Sequence, residues 1–216
     1  MSGETDSSGG GGGMGLRERK KQRTYRVISE AAIGLFLAKG FDKVSVAEVA
    51  AAAEISKPTL FRYFPAKEDL ALHRFADHED EAARVVAGRP AGLSPLDALH
   101  GHFLTGLDRR DPVTGLSDEP AVRAFHRMLY GTPSLVARLH AYVTRSEEAL
   151  TAALGGPDPL GARLAAGQIV AVQRILAEEN WRRIEAGESA AAVLPGAVVA
   201  ADRGFGQLRT GLAAHF

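Results

Sequence analysis

The sequence predicts an all-α protein: an N-terminal three-helix head followed by a larger helical body. Three observations carry this. Apolar residues fall at helical spacing in segment after segment beyond Gly15. Gly and Pro punctuate the joints, as in Asp111-Pro112, Gly131-Thr132-Pro133 and Gly155-Gly156-Pro157. No stretch sustains the period-two alternation of a half-buried strand. The 216 residues are 45% hydrophobic and 24% charged, an ordinary globular balance with room for a sizeable core in one or two domains.

Residues 1–15 are Gly/Ser-rich, cannot bury apolar area, and are expected to be a disordered tail. A basic arm leads into a first helix over about Arg17–Lys39, with Val27, Ile28, Ala31, Leu35 and Phe36 as its inner face and Gly40 as its C-cap. Ser45 can cap a second, short helix, and Glu48 stands three residues on, as in a capping box. Ser56 can cap a third, with Pro58 in its first turn, where a missing N–H costs nothing. This third helix turns Lys57, Thr59, Arg62 and Tyr63 outward and keeps Leu60, Phe61 and Phe64 for apolar contacts. One helix braces and the next presents a polar face: that is how a helix-turn-helix enters the major groove.

Pro65 breaks the chain, and a fourth helix is expected from Lys67 to near Gly88, linking the two halves. Five more are expected near Pro95–Leu107, Glu119–Tyr130, Pro133–Leu154, Pro159–Ala186 and Ser189–Ala213, with Pro195 in a first turn. That makes about nine helices in all. The predicted organisation is a tail (1–15), a helix-turn-helix head for DNA (16–66) and a helical body (67–216).

The formal net charge of +0 conceals an asymmetry. From Met14 to Lys67 there are eleven Lys and Arg against five Asp and Glu, a balance of +6, so the rest of the chain carries −6. A basic head on an acidic body suits a nucleic-acid partner. The absence of Cys excludes disulfides and thiolate metal sites, and no apolar run approaches the roughly 18 residues of a membrane span. The expected location is cytoplasmic, at the nucleoid, with no membrane partner.

Val44 to Phe64, together with Tyr63-Phe64-Pro65-Ala66-Lys67-Glu68-Asp69-Leu70 and the upstream Ala31-Ala32-Ile33-Gly34-Leu35-Phe36 and Gly40-Phe41, resembles the TetR/AcrR family of bacterial transcriptional regulators. The resemblance spans roughly Arg23 to Leu72. It implies that Lys57, Pro58, Thr59, Arg62 and Tyr63 approach bases or phosphates of a double-stranded operator. Arg or Lys pairs with guanine, Thr touches a thymine methyl, and Tyr donates to phosphate. Ser45 and Lys67, each at a helix start, are expected on the phosphate backbone. One departure is Glu54, where the family usually carries Gly between the two short helices.

The resemblance further implies a homodimer built from the last two helices as a four-helix bundle. Leu164, Gly167, Ile169, Val172, Leu176, Val198, Phe205 and Leu208 are its expected interface. A small, mainly apolar effector is expected among Phe75, Phe103, Leu107, Phe125, Leu129, Tyr130 and Tyr142, releasing the repressor from a palindromic operator. The rival reading is a constitutive dimeric DNA-binding activator or architectural protein without an effector. An enzyme is not expected: no Ser/His/Asp spacing, phosphate loop or paired carboxylate motif identifies catalytic residues, and no cofactor is implied. His100 and His102, two apart on a helix, point to nearly opposite sides, and His126 reads as core, so no metal site is expected.

Overall fold

The computed structural model describes residues 16–76 and 78–211. The Gly/Ser-rich segment and its expected disorder lie outside the described residues, which contain helices and no strand. The head holds α1 (Leu16–Lys39), α2 (Val46–Ala52) and α3 (Lys57–Tyr63). Next come α4 (Lys67–Ala76), α5 (Glu81–Ala87), α6 (Pro95–Asp108), a 3-10 turn (Pro112–Thr114), α7 (Pro120–Gly131), α8 (Pro133–Leu154), α9 (Pro159–Glu185) and α10 (Ala190–Thr210). None of the described helices is long and apolar enough to cross a membrane.

Val27, expected on the inner face of the first helix, is exposed, and two helix boundaries differ from expectation. The single linking helix is two, because the polar run His78–Asp80 forms a turn and Glu81 opens a fresh helix, its carboxylate held by His78 Nδ1 at 2.7 Å. Pro195 lies inside α10 beyond its first turn. There it removes one backbone donor from the helix ladder. Elsewhere the side chains named by sequence do the capping. Ser45 and Glu48 form a reciprocal capping box on α2, and the Ser56 hydroxyl accepts from the Thr59 N–H.

The packing divides into two apolar clusters. One gathers Ile28, Phe36, Val49 and Leu60 of the head and Leu70 of α4 with Leu129, Leu135 and Tyr142 of α7 and α8. The other fills the body with Leu99, Leu107, Leu150, Ile184, Val193 and Phe205. Head and body therefore share a core across α4. Ser29 of α1 donates its hydroxyl to the Leu70 carbonyl at 2.9 Å, in a buried position. On the other side, Asp69 is only 6% exposed and receives both arms of Arg138, at 2.8 and 3.0 Å, plus the Ala66 N–H. A bidentate pair of this kind fixes orientation as well as distance.

The connection between α6 and α7 is strapped against α9. Gly115 has φ 71°, and a Cβ there would lie 2.0 Å from the Ala177 carbonyl oxygen, so only Gly fits. The Asn180 side-chain amide donates to the Thr114 carbonyl at 2.9 Å, and the Asp118 carboxylate accepts from the Ala190 N–H at 2.8 Å.

Two substitutions test this account. Glu54 has φ 55° in the turn between α2 and α3. Glu54→Gly is expected to raise stability by roughly 1 kcal/mol, because it removes the left-handed penalty. Arg138→Met, which leaves the Asp69 carboxylate buried with one N–H, is expected to lower stability by roughly 2 kcal/mol. Urea unfolding checks both; unchanged midpoints would contradict them.

Candidate nucleic-acid interface and adjoining cavity

The short helix α3 is braced from behind. Leu60 and Phe64 are buried in the head cluster, and Tyr25 of α1 meets Tyr63 and Phe64 edge-on, with ring centroids 4.9 and 5.2 Å away. Lys57, Pro58 and Arg62 are exposed on the opposite side, and Thr59 and Tyr63 are half-buried. Arg62 lies 5.7 Å from the Tyr63 ring. The N-terminal end of α3 is therefore an uncovered polar surface with a rigid apolar backing. Phe61, read as an apolar contact, is also exposed and stands on this surface.

The two flanking residues expected on phosphate are engaged within the protein. The Ser45 hydroxyl donates to Glu48 Oε2 and accepts from the Glu48 N–H, so it is committed to the cap. Glu48 is held at a pKa of about 2 by hydrogen bonds from the Lys39 ammonium and then from Ser45, and it remains a carboxylate. The Lys67 ammonium donates to the Phe41 carbonyl at 2.6 Å and sits 4.3 Å from the Phe41 ring centroid. Of the basic arm, Arg19, Lys20, Lys21 and Arg23 are exposed along the start of α1.

Behind the head, a cavity of about 270 Å³ opens between α4, α5, α6, α7, α8, α9 and the strap. Of the residues expected around an effector, Phe75, Phe103, Tyr130 and Tyr142 line it. Three others do not. Leu107 and Leu129 are fully buried in the two cores, and Phe125 stacks on Phe75 at 6.3 Å, outside the lining. The reason is helical phase, since each faces the packed side of its helix.

His126, read from sequence as core, lines the cavity. Its ring is stacked between Tyr130 at 4.3 Å and Trp181 at 3.6 Å. Burial lowers its pKa to about 4, so it is neutral at physiological pH. Burial likewise raises the Tyr130 and Tyr142 phenols. Reading by apolar type missed His126 and Gln173; the one available signal was His126 lying four residues before Tyr130, on the same helix face. His78 and His102 both hold Glu81, at 2.7 and 3.2 Å. No group of three metal-capable side chains occurs among the described residues.

The expected interface residues separate into two sets. Leu164 is 56% exposed, and a Cβ built on Gly167 would meet nothing within 4 Å. Ile169 and Phe205, however, are buried in the protomer's own core and are unavailable to a second chain. Val172 and Leu176 pack against Gly204 of α10, and Val198 and Leu208 pack on the body core. Small residues between α9 and α10 thus serve their mutual packing within one chain. The outward strip is instead Leu160, Leu164 and Ile175 of α9 with Val199 of α10, each more than half exposed.

Residues 28–73 match the family model described as bacterial regulatory proteins, tetR family. The HTH-type transcriptional regulator TcmR of Streptomyces glaucescens is 37% identical over 137 residues, 63% of this chain. That match covers 59% of TcmR, so the chain spans less than two thirds of this relative's length. The HTH-type transcriptional repressor KstR of Rhodococcus jostii (strain RHA1) is 26% identical over 153 residues, 70% of this chain and 68% of KstR. Among solved structures, NalD, the secondary repressor of the MexAB-OprM multidrug efflux pump in Pseudomonas aeruginosa, aligns with a TM-score of 0.55 at 20% identity. It covers 85% of this chain and 97% of NalD, and at that identity the likeness is one of fold. The braced helix-turn-helix lies inside the matched segment, so residues 28–73 form a regulatory domain of the bacterial tetR family, with an all-α body behind it.

Proposed function

We propose that the protein is a DNA-binding transcriptional repressor that works as a homodimer and leaves its operator when a small, mainly apolar ligand fills the cavity. The observation that carries the DNA-binding reading is α3: a short helix braced on its apolar side, with Lys57, Pro58 and Arg62 uncovered. Lys57 and Arg62 supply base or phosphate contacts, Thr59 an apolar or hydroxyl contact, and Tyr63 a phosphate donor. Ser45 and Lys67 flank this face, Ser45 through its helix start and Lys67 after exchanging its Phe41 partner for phosphate. KstR, a repressor by name, favours repression over activation.

Dimerisation uses the outward strip of α9 and α10, with Leu164 and Gly167 at its centre. A row of large apolar residues this exposed is more than a lone protomer needs. Two α3 helices then face successive major grooves about 34 Å apart. The cavity favours a ligand-responsive protein over a constitutive one. Its wall includes Phe75, which rides on the same helix as Asp69 and Lys67. A ligand pressing on Phe75 turns α4 about the Asp69–Arg138 pair, and this changes the separation of the two recognition helices.

Selection of bound duplexes from a random pool is expected to recover an inverted repeat with half-sites about one helical turn apart. Affinity for that duplex is expected to fall roughly a hundredfold or more between 50 and 200 mM salt, through counterion release. Lys57→Ala or Arg62→Ala is expected to cost ~1 to 3 kcal/mol on the selected duplex and far less on random DNA. Flat salt dependence, or equal losses on both duplexes, would reject base readout by α3.

Leu164→Glu and Val199→Glu are expected to give monomers with a folded circular-dichroism signature, because each sets a charge in an apolar seam. Operator affinity is expected to collapse with them, since a monomer loses the linked second half-site. Sedimentation showing intact dimers would place the interface elsewhere.

A further inference from the structure

We propose that the cavity takes a neutral, planar aromatic ligand carrying a carbonyl oxygen, and that the imidazole Nε2–H of His126 is the donor that receives it. This rests on the effector reading above and adds the chemistry of the effector.

Charge is the first discriminator. The carboxylates of the cavity wall are each satisfied inside the protein: Glu79 by Arg145 at 2.8 Å, Glu81 by His78 and His102, Asp111 by the Val113 N–H at 3.0 Å, and Glu178 by Arg174 at 2.6 Å. An anionic ligand would meet those carboxylates, and a cationic one would have to displace their partners. A neutral ligand meets neither cost.

The second discriminator is which polar groups are left over. Tyr142 is engaged through its ring, 4.3 Å from the Arg145 guanidinium, and no partner among the described residues takes its hydroxyl. Burial keeps that phenol protonated, so it offers a donor.

His126 decides the polarity. Tyr130 and Trp181 cover its two faces, and its Nδ1 is sealed from solvent without a partner. The edge left to meet the cavity is therefore the one carrying Nε2. A neutral imidazole has one proton to place. An N–H sealed without an acceptor is rarer than an unused lone pair, so the proton belongs on Nε2. His126 and Tyr142 thus set two uncharged donors beside aromatic surface, with Gln173 and Ser146 of the same wall able to donate or accept, and a flat ring system ending in an acceptor uses those two donors. A volume of about 270 Å³ suits two or three fused rings.

The test compares 9-fluorenone with fluorene, which share size and shape and differ by a carbonyl in place of a methylene. Both are measured by equilibrium dialysis against the full chain and against His126→Phe, which keeps an aromatic ring between Tyr130 and Trp181. The wild-type protein is expected to bind fluorenone roughly tenfold more tightly than fluorene, and His126→Phe to erase that preference, so that the two compounds bind it alike. Equal binding of the two compounds to the wild type would overturn the carbonyl assignment and leave the effector cavity standing. A preference that survives in His126→Phe would overturn the role of His126. If neither compound binds, the aromatic-ligand proposal and the effector reading of this cavity fall together.

Discussion

Asp69 is where the two halves of this protein become one body. Its carboxylate is almost wholly buried, yet it is answered by both arms of Arg138 from α8 and by the Ala66 N–H at the start of its own helix. A carboxylate in that setting tolerates little displacement, because each lost hydrogen bond leaves charge in an apolar surround. The position of the head relative to α8 follows from this, as does the tilt of α4, which carries Phe64's neighbours on one side and Phe75 on the other. The Ser29 hydroxyl on the Leu70 carbonyl closes the same joint from the side of α1. Arg145, two turns along α8 from Arg138, repeats the device with Glu79 and lies over the Tyr142 ring. The joint is therefore ionic at its two ends and aromatic between.

Much of the head was legible in the sequence because its signals are local. Ser45 with Glu48, and Ser56 with Pro58, specify helix starts within four residues, and the structure forms those caps with those atoms. Glu54 was legible for the same reason. The resemblance implies Gly at this turn, so a side chain there signals strain, and its φ is positive. The helices of the body were also readable, since Gly and Pro mark nearly every joint.

What the sequence withheld is helical phase and partnership. Phe75 and Phe125 are alike in type, yet only Phe75 reaches the cavity, because the two rings stack and Phe125 stands behind. Ile169 and Leu164 lie five apart on α9, one in the core and the other on the outer strip. No pattern of residue types within one helix says which apolar stripe meets the chain's own core and which is left over. His126 shows the same limit. Its place between Tyr130 and Trp181 depends on α7 meeting α9, a contact made by residues 55 positions apart. Lys67 and Ser45 were named for an external partner, and in the protein alone their polar atoms turn to Phe41 and Glu48.

The strap has a mechanical consequence. Gly115 is seated on the Ala177 backbone with no room for a Cβ, and Asn180 and Asp118 pin the same segment to α9 and α10. That side of the cavity behaves as the fixed jaw of a vise. Opposite it, Phe75 sits on a ten-residue helix that ends in a turn at 78–80. Any occupant too large for the resting space therefore does its work in one direction. On the proposed effector reading, this unequal bracing directs expansion into a displacement of α4 rather than a swelling of the whole body.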